Sequence, residues 1–261
     1  MALGSERSRL INNPLKRAVV SLFGDVHFGR VLRFRYFIHA IDQMALRPTT
    51  ILDAGCGKGY FALYLARRFP AARVVAIDLG RAELQEAELI RCVAGIGNLV
   101  FVHGDIQGGL GVDTFDLIVS SEVLEYVPDE DRAMRHLREA LRPDGILLLH
   151  LMHAEGGYSR CGARRLFNRH PEQWRDDGMV RAGYTETGLA MQLERAGFAD
   201  VTVQPTFGPI GMFAHSWFEI GRTWPAPCYL AIFPLLIALA RWDVRASKKS
   251  GGGMLAMGLK G

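Results

Sequence analysis

A glycine-rich stretch directly after an apolar run is the first feature of this chain with a chemical meaning. It reads Asp53-Ala-Gly55-Cys56-Gly57-Lys-Gly59 and precedes a segment with apolar residues at helical spacing. Glycines let a backbone turn sharply and approach a ligand closely. The N-terminus of the following helix presents free N–H groups to a negative ligand group. The stretch therefore predicts a binding loop between a strand and a helix.

Two carboxylates follow at the ends of the next predicted strands. Asp78 stands 19 residues after Gly59, where an acidic side chain can accept hydrogen bonds from both hydroxyls of a ribose. Asp105 follows the third strand, positioned to accept from an adenine amino group while Ile106 packs on the ring. The glycine spacing is GxGxG, and the chain has no GxxxxGK[ST] loop. The pattern thus indicates neither a dinucleotide site nor a phosphate loop.

Short apolar runs alternate with helix-like segments between residues 50 and 153. Such alternation is typical of a parallel sheet covered on both faces, and right-handed crossovers place the carboxyl ends of its strands on one edge. We therefore expect the glycine loop and the two carboxylates to meet at that edge. The predicted strands are 50–54, 73–77, 99–102, 115–119, 146–151, 198–203 and, closing the sheet, 254–259.

Five motifs in order make the chain resemble the class I S-adenosylmethionine-dependent methyltransferases. They are ILDAGCGKGY (51–60), VVAIDL (74–79), GDI (104–106), FDLIVSSEVLEYV (115–127) and LREALRPDGILLLH (137–150), with a weaker LERAGF (193–198). The resemblance covers about 50–205. It implies an α/β, Rossmann-like sheet of seven strands, mostly parallel with a closing antiparallel strand, and helices on both faces. S-adenosyl-L-methionine is the cofactor that it implies.

The resemblance also assigns cofactor-binding residues. Asp53 would lie beside the cofactor's amino group or brace the loop, Leu79 would pack on the adenine, and Ser121 would lie near the reactive end. Arg33 begins a segment similar to the R-x-x-Y of quinone-pathway O-methyltransferases and would hold the cofactor carboxylate; a solvated helix face is the alternative. The full set is Arg33, Asp53, Gly55, Cys56, Gly57, Gly59, Asp78, Leu79, Asp105, Ile106 and Ser121.

The segment after the fourth strand narrows the chemistry. It reads Ser-Ser-Glu-Val, whereas enzymes that methylate exocyclic base amines or the glutamine amide resemble one another in an Asn/Asp-Pro-Pro-Tyr/Phe sequence here. Some quinone O-methyltransferases carry E-x-x-E-H at this point, linked to a divalent metal. The chain keeps Glu122 and Glu125 but has Tyr126 in place of the histidine. We therefore expect no metal and a glutamate pair that only orients a helix; a divalent metal at this pair is the alternative.

Methyl transfer needs an acceptor held in line with the methyl group of a sulfonium. A general base assists where the acceptor is a weakly acidic hydroxyl. His153 and His150, at the end of the fifth strand, are the predicted bases, with His153 preferred, and Tyr126 is a further pocket residue. A histidine that only packs beside the sheet, and a tyrosine that only packs, are the alternatives.

The acceptor is expected to meet the parts outside the shared core. These carry many aromatic side chains, which favour a hydrophobic small molecule of quinone, isoprenoid, lipid-like or polyketide type, methylated on oxygen. Arginines 160, 164 and 165 suit an anionic group instead. Carbon or nitrogen methylation, or an activity without methyl transfer, remains the alternative. The aromatic residues are Phe34, Tyr36, Phe37, Trp174, Phe207, Phe213, Trp217, Trp224 and Phe233.

Composition divides the chain into four parts. We expect a helical cap at 1–48, a cofactor-binding core at 49–207 with an insertion at 154–184, a hydrophobic helical insertion or lid at 208–250, and a closing strand at 251–261. Within the lid, residues 225–240 carry no charge, but prolines 225, 227 and 234 interrupt them, and a spanning helix needs about 20 apolar residues. A lid, a buried helix and a helix lying on a bilayer remain open.

The charge distribution bears on partners. Residues 1–50 carry a net charge of +5 and residues 241–261 of +4, whereas the middle carries −5. A nucleic-acid face would show a denser basic patch, so we expect no nucleic-acid partner. The four cysteines form no CxxC pair, and the first residues lack an apolar leader, which indicates a cytoplasmic protein. A peripheral membrane contact through 225–245 is the alternative to solvated helix faces.

Overall fold

Seven strands of the chain join into one sheet. The structure, a computed structural model, describes residues 27–110, 115–154, 178–221, 226–246 and 248–261. Their order is β3-β2-β1-β4-β5-β7-β6; β1 to β5 are parallel, and β7 lies antiparallel between β5 and β6. This confirms the predicted fold class. The strands are β1 (Thr50–Ala54), β2 (Arg73–Asp78), β3 (Leu99–His103), β4 (Phe115–Ser121), β5 (Leu141–Met152), β6 (Ala199–Thr206) and β7 (Gly253–Leu259).

Helices cover both faces of this sheet. Two of them begin at side-chain caps, because Asp129 accepts a hydrogen bond from the Arg132 amide at 3.0 Å and Thr185 accepts one from the Gly188 amide at 3.1 Å. These two side chains therefore fix where the two helices begin. The helices are α1 (Phe28–Gln43), α2 (Tyr60–Arg68), α3 (Arg81–Val93), α4 (Glu130–Ala140), α5 (Glu186–Arg195), α6 (Pro209–Gly221) and α7 (Ala226–Arg245).

The core lies in two layers, one on each face of the sheet. Successive side chains of a strand point to opposite faces, so Ile51 joins one apolar cluster and Leu52 the other. The first cluster includes buried residues of α1, α2, α6 and α7, and the second includes those of α4 and α5. Burial on both faces explains why the central strands β1, β2 and β4 are largely apolar.

The 208–250 region contains α6 and α7, which pack against α1. Phe218 and Phe233 are buried with α1 in the first cluster. The helix α7 continues through positions 227 and 234, so the expectation that proline interrupts this run is wrong there. Pro234 lies inside the helix at an exposed position, although proline removes one backbone N–H from the helical hydrogen bonds. No helix among the described residues combines the length and apolarity that crossing a bilayer requires.

Most of the aromatic residues expected to cover an acceptor pocket belong to the core instead. Phe34 stacks on Phe61 with ring centroids 4.4 Å apart. The pocket was predicted from the many aromatic residues of these segments, and residue type alone does not distinguish a ligand-binding ring from one packed on a sheet. Trp174 and Trp224 lie outside the described residues, and Phe213 and Trp217 are exposed. The buried aromatic residues are Phe34, Tyr36, Phe37, Phe207 and Phe233.

A buried polar network ties α1 to α7 and to the end of β6. The Tyr36 hydroxyl donates to the carboxylate of Asp243 and accepts from the Phe207 amide at 2.9 Å. The Gly208 amide donates to the same carboxylate at 3.1 Å, and Asp243 is 1% exposed. Burial, and then the charge of Asp243, raise the pKa of Tyr36, so the phenol keeps its proton.

The Tyr36→Phe variant is expected to lower the free energy of unfolding by about 1–3 kcal/mol, because it leaves the buried Asp243 carboxylate and the Phe207 amide each short of a partner. Urea denaturation monitored by circular dichroism measures the loss. Tyr64→Phe, which removes a phenol hydroxyl from a half-buried position, is the matched control. Equal stability of the two variants would contradict the role given to the network.

Candidate functional site

The glycine loop after β1 is shaped by contacts that differ from glycine to glycine. The Gly55 and Cys56 amides donate to the Ile77 carbonyl at 2.8 and 3.0 Å, which anchors the loop to the end of β2. A Cβ on Gly55 would lie 2.3 Å from the Val123 side chain. A Cβ on Gly57 would have nothing within 4 Å. The loop is thus packed from behind at Gly55 and open in front at Gly57.

Asp78 joins the two loops that follow β1 and β2. Its carboxylate accepts from the Gly57 amide at 2.6 Å and from the Gly80 amide at 2.8 Å. Asp53, at the end of β1, is 2% exposed, and its Oδ2 has no hydrogen-bond partner among the described residues. Burial and then the charge of Asp78 raise the pKa of Asp53 to about 7. Asp53 and Asp78 therefore bring two carboxyl groups to the loop.

The residues assigned to an adenine lie at the same edge of the sheet. The Gly104 amide donates to the Asp78 carbonyl at 3.1 Å, so the loop after β3 adjoins the loop after β2. Asp105 accepts from the Gln107 amide at 2.8 Å, and Ile106 is buried. Leu79 is 60% exposed. The structure thus brings these residues to the side of the glycine loop that the sequence predicts.

Arg33 reaches this edge from α1. Its guanidinium forms an ion pair with Glu122 at 2.7 Å, and its Nε is buried without a hydrogen-bond partner among the described residues. Glu122 has a φ of +55°, a conformation that costs a non-glycine residue energy and recurs at functional sites. The Glu122 amide donates to the His150 carbonyl at 2.8 Å. Sequence reasoning did not find the Arg33–Glu122 pair, because 89 positions separate the two residues.

Glu125 is buried completely at the ends of β4 and β5. Its Oε1 accepts from the Met152 amide at 2.7 Å, whereas its Oε2 has no partner among the described residues. Burial raises the pKa of Glu125 to about 7, and the charge of Glu122 adds to the rise. The Ser121 hydroxyl is also buried without a partner there. If Glu125 only oriented this segment, the hydrogen bond at Oε1 would be explained, but the buried Oε2 would still have no partner among the described residues.

The two predicted bases occupy different surroundings. His150 is buried, with its ring centroid 6.2 Å from that of Phe37 and 5.6 Å from that of Phe207, and its Nε2 is 2.9 Å from the Thr206 hydroxyl. Burial and then the charge of Arg33 lower the pKa of His150, so the ring is neutral. His153 is half-buried and pairs with Tyr184 in a β-bridge.

Five polar atoms around the ends of β1, β4 and β5 thus share one property. Each is buried and has no hydrogen-bond partner among the described residues. Since buried polar groups normally find partners, several such atoms in one region mark a place where a ligand or ordered water binds. Tyr126, which is 44% exposed, lies next to this cluster in sequence. The atoms are Arg33 Nε, Asp53 Oδ2, Ser121 Oγ, Glu125 Oε2 and His150 Nδ1.

The site has no grouping typical of a metal centre in the part of the chain that the structure describes. No three histidine, cysteine, aspartate or glutamate side chains there lie close enough together to bind one metal ion. Cys56 is a free thiol whose pKa is raised, mainly by burial. A nucleophilic thiolate is therefore not a feature of the loop.

Comparison with known proteins places this site in a family. A profile described as a methyltransferase domain matches residues 30–203. A trans-aconitate 2-methyltransferase from Deinococcus radiodurans is 39% identical over 112 residues, which are 41% of this chain and 41% of that protein. A malonyl-[acyl-carrier protein] O-methyltransferase from Methylovorus sp. is 25% identical over 63% of this chain and 60% of that protein. The matches therefore span less than two thirds of these relatives.

A solved structure shows the same fold. An S-adenosylmethionine-dependent methyltransferase from Mesorhizobium loti superposes with a TM-score of 0.57 at 22% sequence identity, over 87% of this chain and 99% of that one. At this level of identity the likeness concerns the arrangement of strands and helices. The profile match, in contrast, includes Arg33, the glycine loop and the segment up to β6.

The Gly55→Ala variant is expected to lose more free energy of unfolding than Gly57→Ala. Both place alanine at a positive φ, which costs about 1–2 kcal/mol. Only the first drives a methyl group into Val123, which adds on the order of 1–3 kcal/mol. Parallel urea denaturation of the two variants checks the difference. A larger loss for Gly57→Ala would show that the space in front of that glycine is filled by the chain itself.

The Glu125→Gln variant is expected to flatten the pH dependence of stability. Because folding raises the pKa of Glu125 from 4.5 to about 7, its contribution is fully present below pH 4.5 and is lost as pH rises towards 7, by on the order of 3 kcal/mol. Denaturation midpoints across this range measure the slope. Glu139→Gln, an exposed change on α4, keeps the wild-type slope. Identical slopes for all three proteins would refute the buried, protonated carboxyl.

Proposed function

The chain belongs to the methyltransferase domain family, and we propose on that premise that it transfers the methyl group of S-adenosyl-L-methionine to an oxygen atom of a hydrophobic small molecule. The cluster of orphaned polar atoms at the ends of β1, β4 and β5 carries the proposal. The cofactor supplies a sulfonium, whose methyl group is already bonded to a good leaving group. The work left to the protein is to bind, to align and to exclude water.

The residues at the edge of the sheet fit this cofactor. The open space in front of Gly57 leaves room for a ligand to lie against the backbone, which a side chain there would take. Each carboxylate oxygen of Asp78 accepts one hydrogen bond from a backbone amide. The remaining lone pairs can accept hydrogen bonds from the two hydroxyls of a ribose. Asp105 and Ile106 hold the adenine from the next loop, with Leu79 on the other side. Cys56 contributes backbone to the same turn.

Charge at the other end of the site suits the amino-acid part of the cofactor. The Arg33 guanidinium would pair with the cofactor's carboxylate, either in place of its ion pair with Glu122 or together with it. Asp53 would lie beside the cofactor's amino group. A cation there relieves the repulsion between Asp53 and Asp78 that raises the pKa of Asp53. Ser121, at the end of β4, donates its otherwise unpaired hydroxyl near the reactive end.

Oxygen is the proposed acceptor atom for two reasons. A relative carries the name malonyl-[acyl-carrier protein] O-methyltransferase, and a hydroxyl acceptor explains why proton-accepting groups lie at the edge of the sheet. His153, half-buried after β5, is the proposed base. The neutral His150 is enclosed by aromatic rings and bound to Thr206, so we give it the task of holding β5 to β6. Tyr126 is exposed enough to contact an acceptor.

The apolar character of the acceptor rests on the surface beside the site. The aromatic residues of α1 are buried and do not bind it, but α6 and α7 expose large apolar side chains. Quinones, isoprenoids and other lipid-like molecules partition into apolar phases, and a protein with such an exposed apolar surface can contact them there. This is the finest statement of the substrate that the proposal makes.

The Asp78→Asn variant tests the cofactor site. We expect affinity for S-adenosylhomocysteine, measured by calorimetry, to fall about tenfold to hundredfold, because the amide can accept at one atom only and carries no charge. Asp131→Asn on the surface of α4 is the control for a lost carboxylate. Unchanged affinity in a folded Asp78→Asn protein would remove the ribose contact from the account.

Methyl transfer needs its own measurement. Wild-type protein is incubated with S-adenosylmethionine and a panel of hydroxylated hydrophobic compounds, and the products are analysed by mass spectrometry for one added methyl group. His153→Gln is expected to slow the transfer while leaving S-adenosylhomocysteine affinity unchanged. Tight cofactor binding without a methylated product from the panel would contradict the proposed O-methylation and favour an activity without methyl transfer.

A further inference from the structure

The two helices after β6 expose an apolar surface that the core does not use. On α6, Phe213 and Trp217 are exposed, and their rings meet edge to face with centroids 6.3 Å apart. On α7, solvent-exposed residues recur at helical spacing from Ala231 to Arg245. We define the α6–α7 face as Phe213, Trp217, Ala231, Pro234, Leu235, Ala238, Arg241, Trp242 and Arg245.

The opposite sides of these helices are also apolar. Phe218 and Ala214 of α6, and Phe233, Ile237 and Ala240 of α7, are buried against α1. A helix that is apolar on all sides normally lies within a core or a membrane. Leu235 and Trp242 nevertheless expose 62% and 63% of their surface. Among the described residues, no apolar segment covers the α6–α7 face, although its sequence is suited to an apolar environment.

A basic cleft adjoins one end of the face. It has a volume of about 330 Å³ between α1, α2 and α7, and Arg241 and Arg245 belong to both the cleft and the face. Arg35 and His39 line it from α1. Among the described residues lining it, Asp42 is the acidic one, and it is ion-paired with Arg68 at 3.1 Å.

Among the described residues that line the cleft, the arginines have one acidic neighbour, Asp42, which is already paired with Arg68. The Nε of Arg35 is buried without a hydrogen-bond partner among the described residues. Burial and then the charge of Arg241 lower the pKa of Arg35, so the two guanidinium groups repel each other. An anion bound between them would relieve that repulsion and supply the missing acceptor.

We propose that the α6–α7 face docks on an anionic lipid bilayer, with lipid phosphate groups bound in the cleft of Arg35, Arg241 and Arg245. Tryptophan, phenylalanine and leucine beside arginine are the composition of helices that lie in the bilayer interface. Each arginine near an anionic surface adds to the attraction. The methyl-transfer step does not depend on this docking, although the apolar acceptor of the proposed function is inferred from the same exposed side chains.

A second copy of the chain suits the face less well. Two-fold pairing would bring the same patch against itself, and Arg241 and Arg245 would then face their own copies. The described residues of the face include no acidic side chain to neutralise them, since Asp243 points into the core. An anionic bilayer supplies both the apolar phase and the negative charge.

Vesicle flotation tests the proposal on the full chain. We expect the protein to float with vesicles of phosphatidylcholine and phosphatidylglycerol and not with phosphatidylcholine alone. The double change Arg241→Gln and Arg245→Gln is expected to weaken binding about thirtyfold, and Leu235→Ser is expected to weaken it too. Matched controls are Arg132→Gln with Arg135→Gln on α4, and Leu89→Ser on α3, all at exposed positions.

The remaining outcomes decide against the proposal. Flotation that the control variants reduce as much as the test variants would show a general charge effect. A phosphate-protected cleft, seen as slower hydrogen exchange of α1 and α7 with inorganic phosphate but without flotation, would make the ligand a free anion. A dimer in sedimentation that Leu235→Ser dissociates, again without flotation, would make the face a contact between copies. Calorimetry with S-adenosylhomocysteine measures cofactor binding by each variant, so a loss of vesicle binding can be distinguished from a failure of the proposed function.

Discussion

The geometry of the site depends on one carboxylate that binds two loops. Asp78 accepts from the Gly57 and Gly80 amides, so the turn after β1 and the turn after β2 are fixed with respect to each other. The same side chain stands at the end of β2, where the parallel register aligns it with His103 at the end of β3. Without this contact, the backbone that borders the open space in front of Gly57 would not be held in position. The cost is that a second carboxyl, Asp53, is buried nearby with its pKa raised.

The buried polar atoms that have no hydrogen-bond partner among the described residues form a second constraint, because a folded chain rarely tolerates several of them in one place. Asp53 and Glu125 both have pKa values raised to about 7, with burial the main cause in each case. The chain thus gives up stability at neutral pH at the very edge where the strands end. A ligand that brings a positive amino group and hydroxyls recovers part of that cost. This is the physical reason for assigning the cluster to a ligand rather than to the core.

The sequence predicts those parts of the molecule that local rules determine. Strand alternation and glycine spacing were enough for the sheet and for the loop at Gly57, because both follow from neighbours along the chain. The sequence did not predict the Arg33–Glu122 pair or the Tyr36–Asp243 pair, because each joins residues far apart in the chain. The aromatic residues of α1 were misassigned for a related reason: helical spacing reveals that Phe34 and Phe37 share a face but not whether that face meets a ligand or a sheet.

The topology explains why an exposed apolar surface lies beside the site. Since β7 runs antiparallel to both β5 and β6, β6 is parallel to β5 and ends at the edge where the glycine loop lies. The chain that leaves Thr206 must therefore begin α6 there, and the His150–Thr206 contact connects that point to β5. Helix α1 then serves both surfaces, because Arg33 reaches Glu122 while Tyr36 binds Asp243 of α7. One helix therefore contacts both the candidate site and α7, which carries part of the exposed apolar surface.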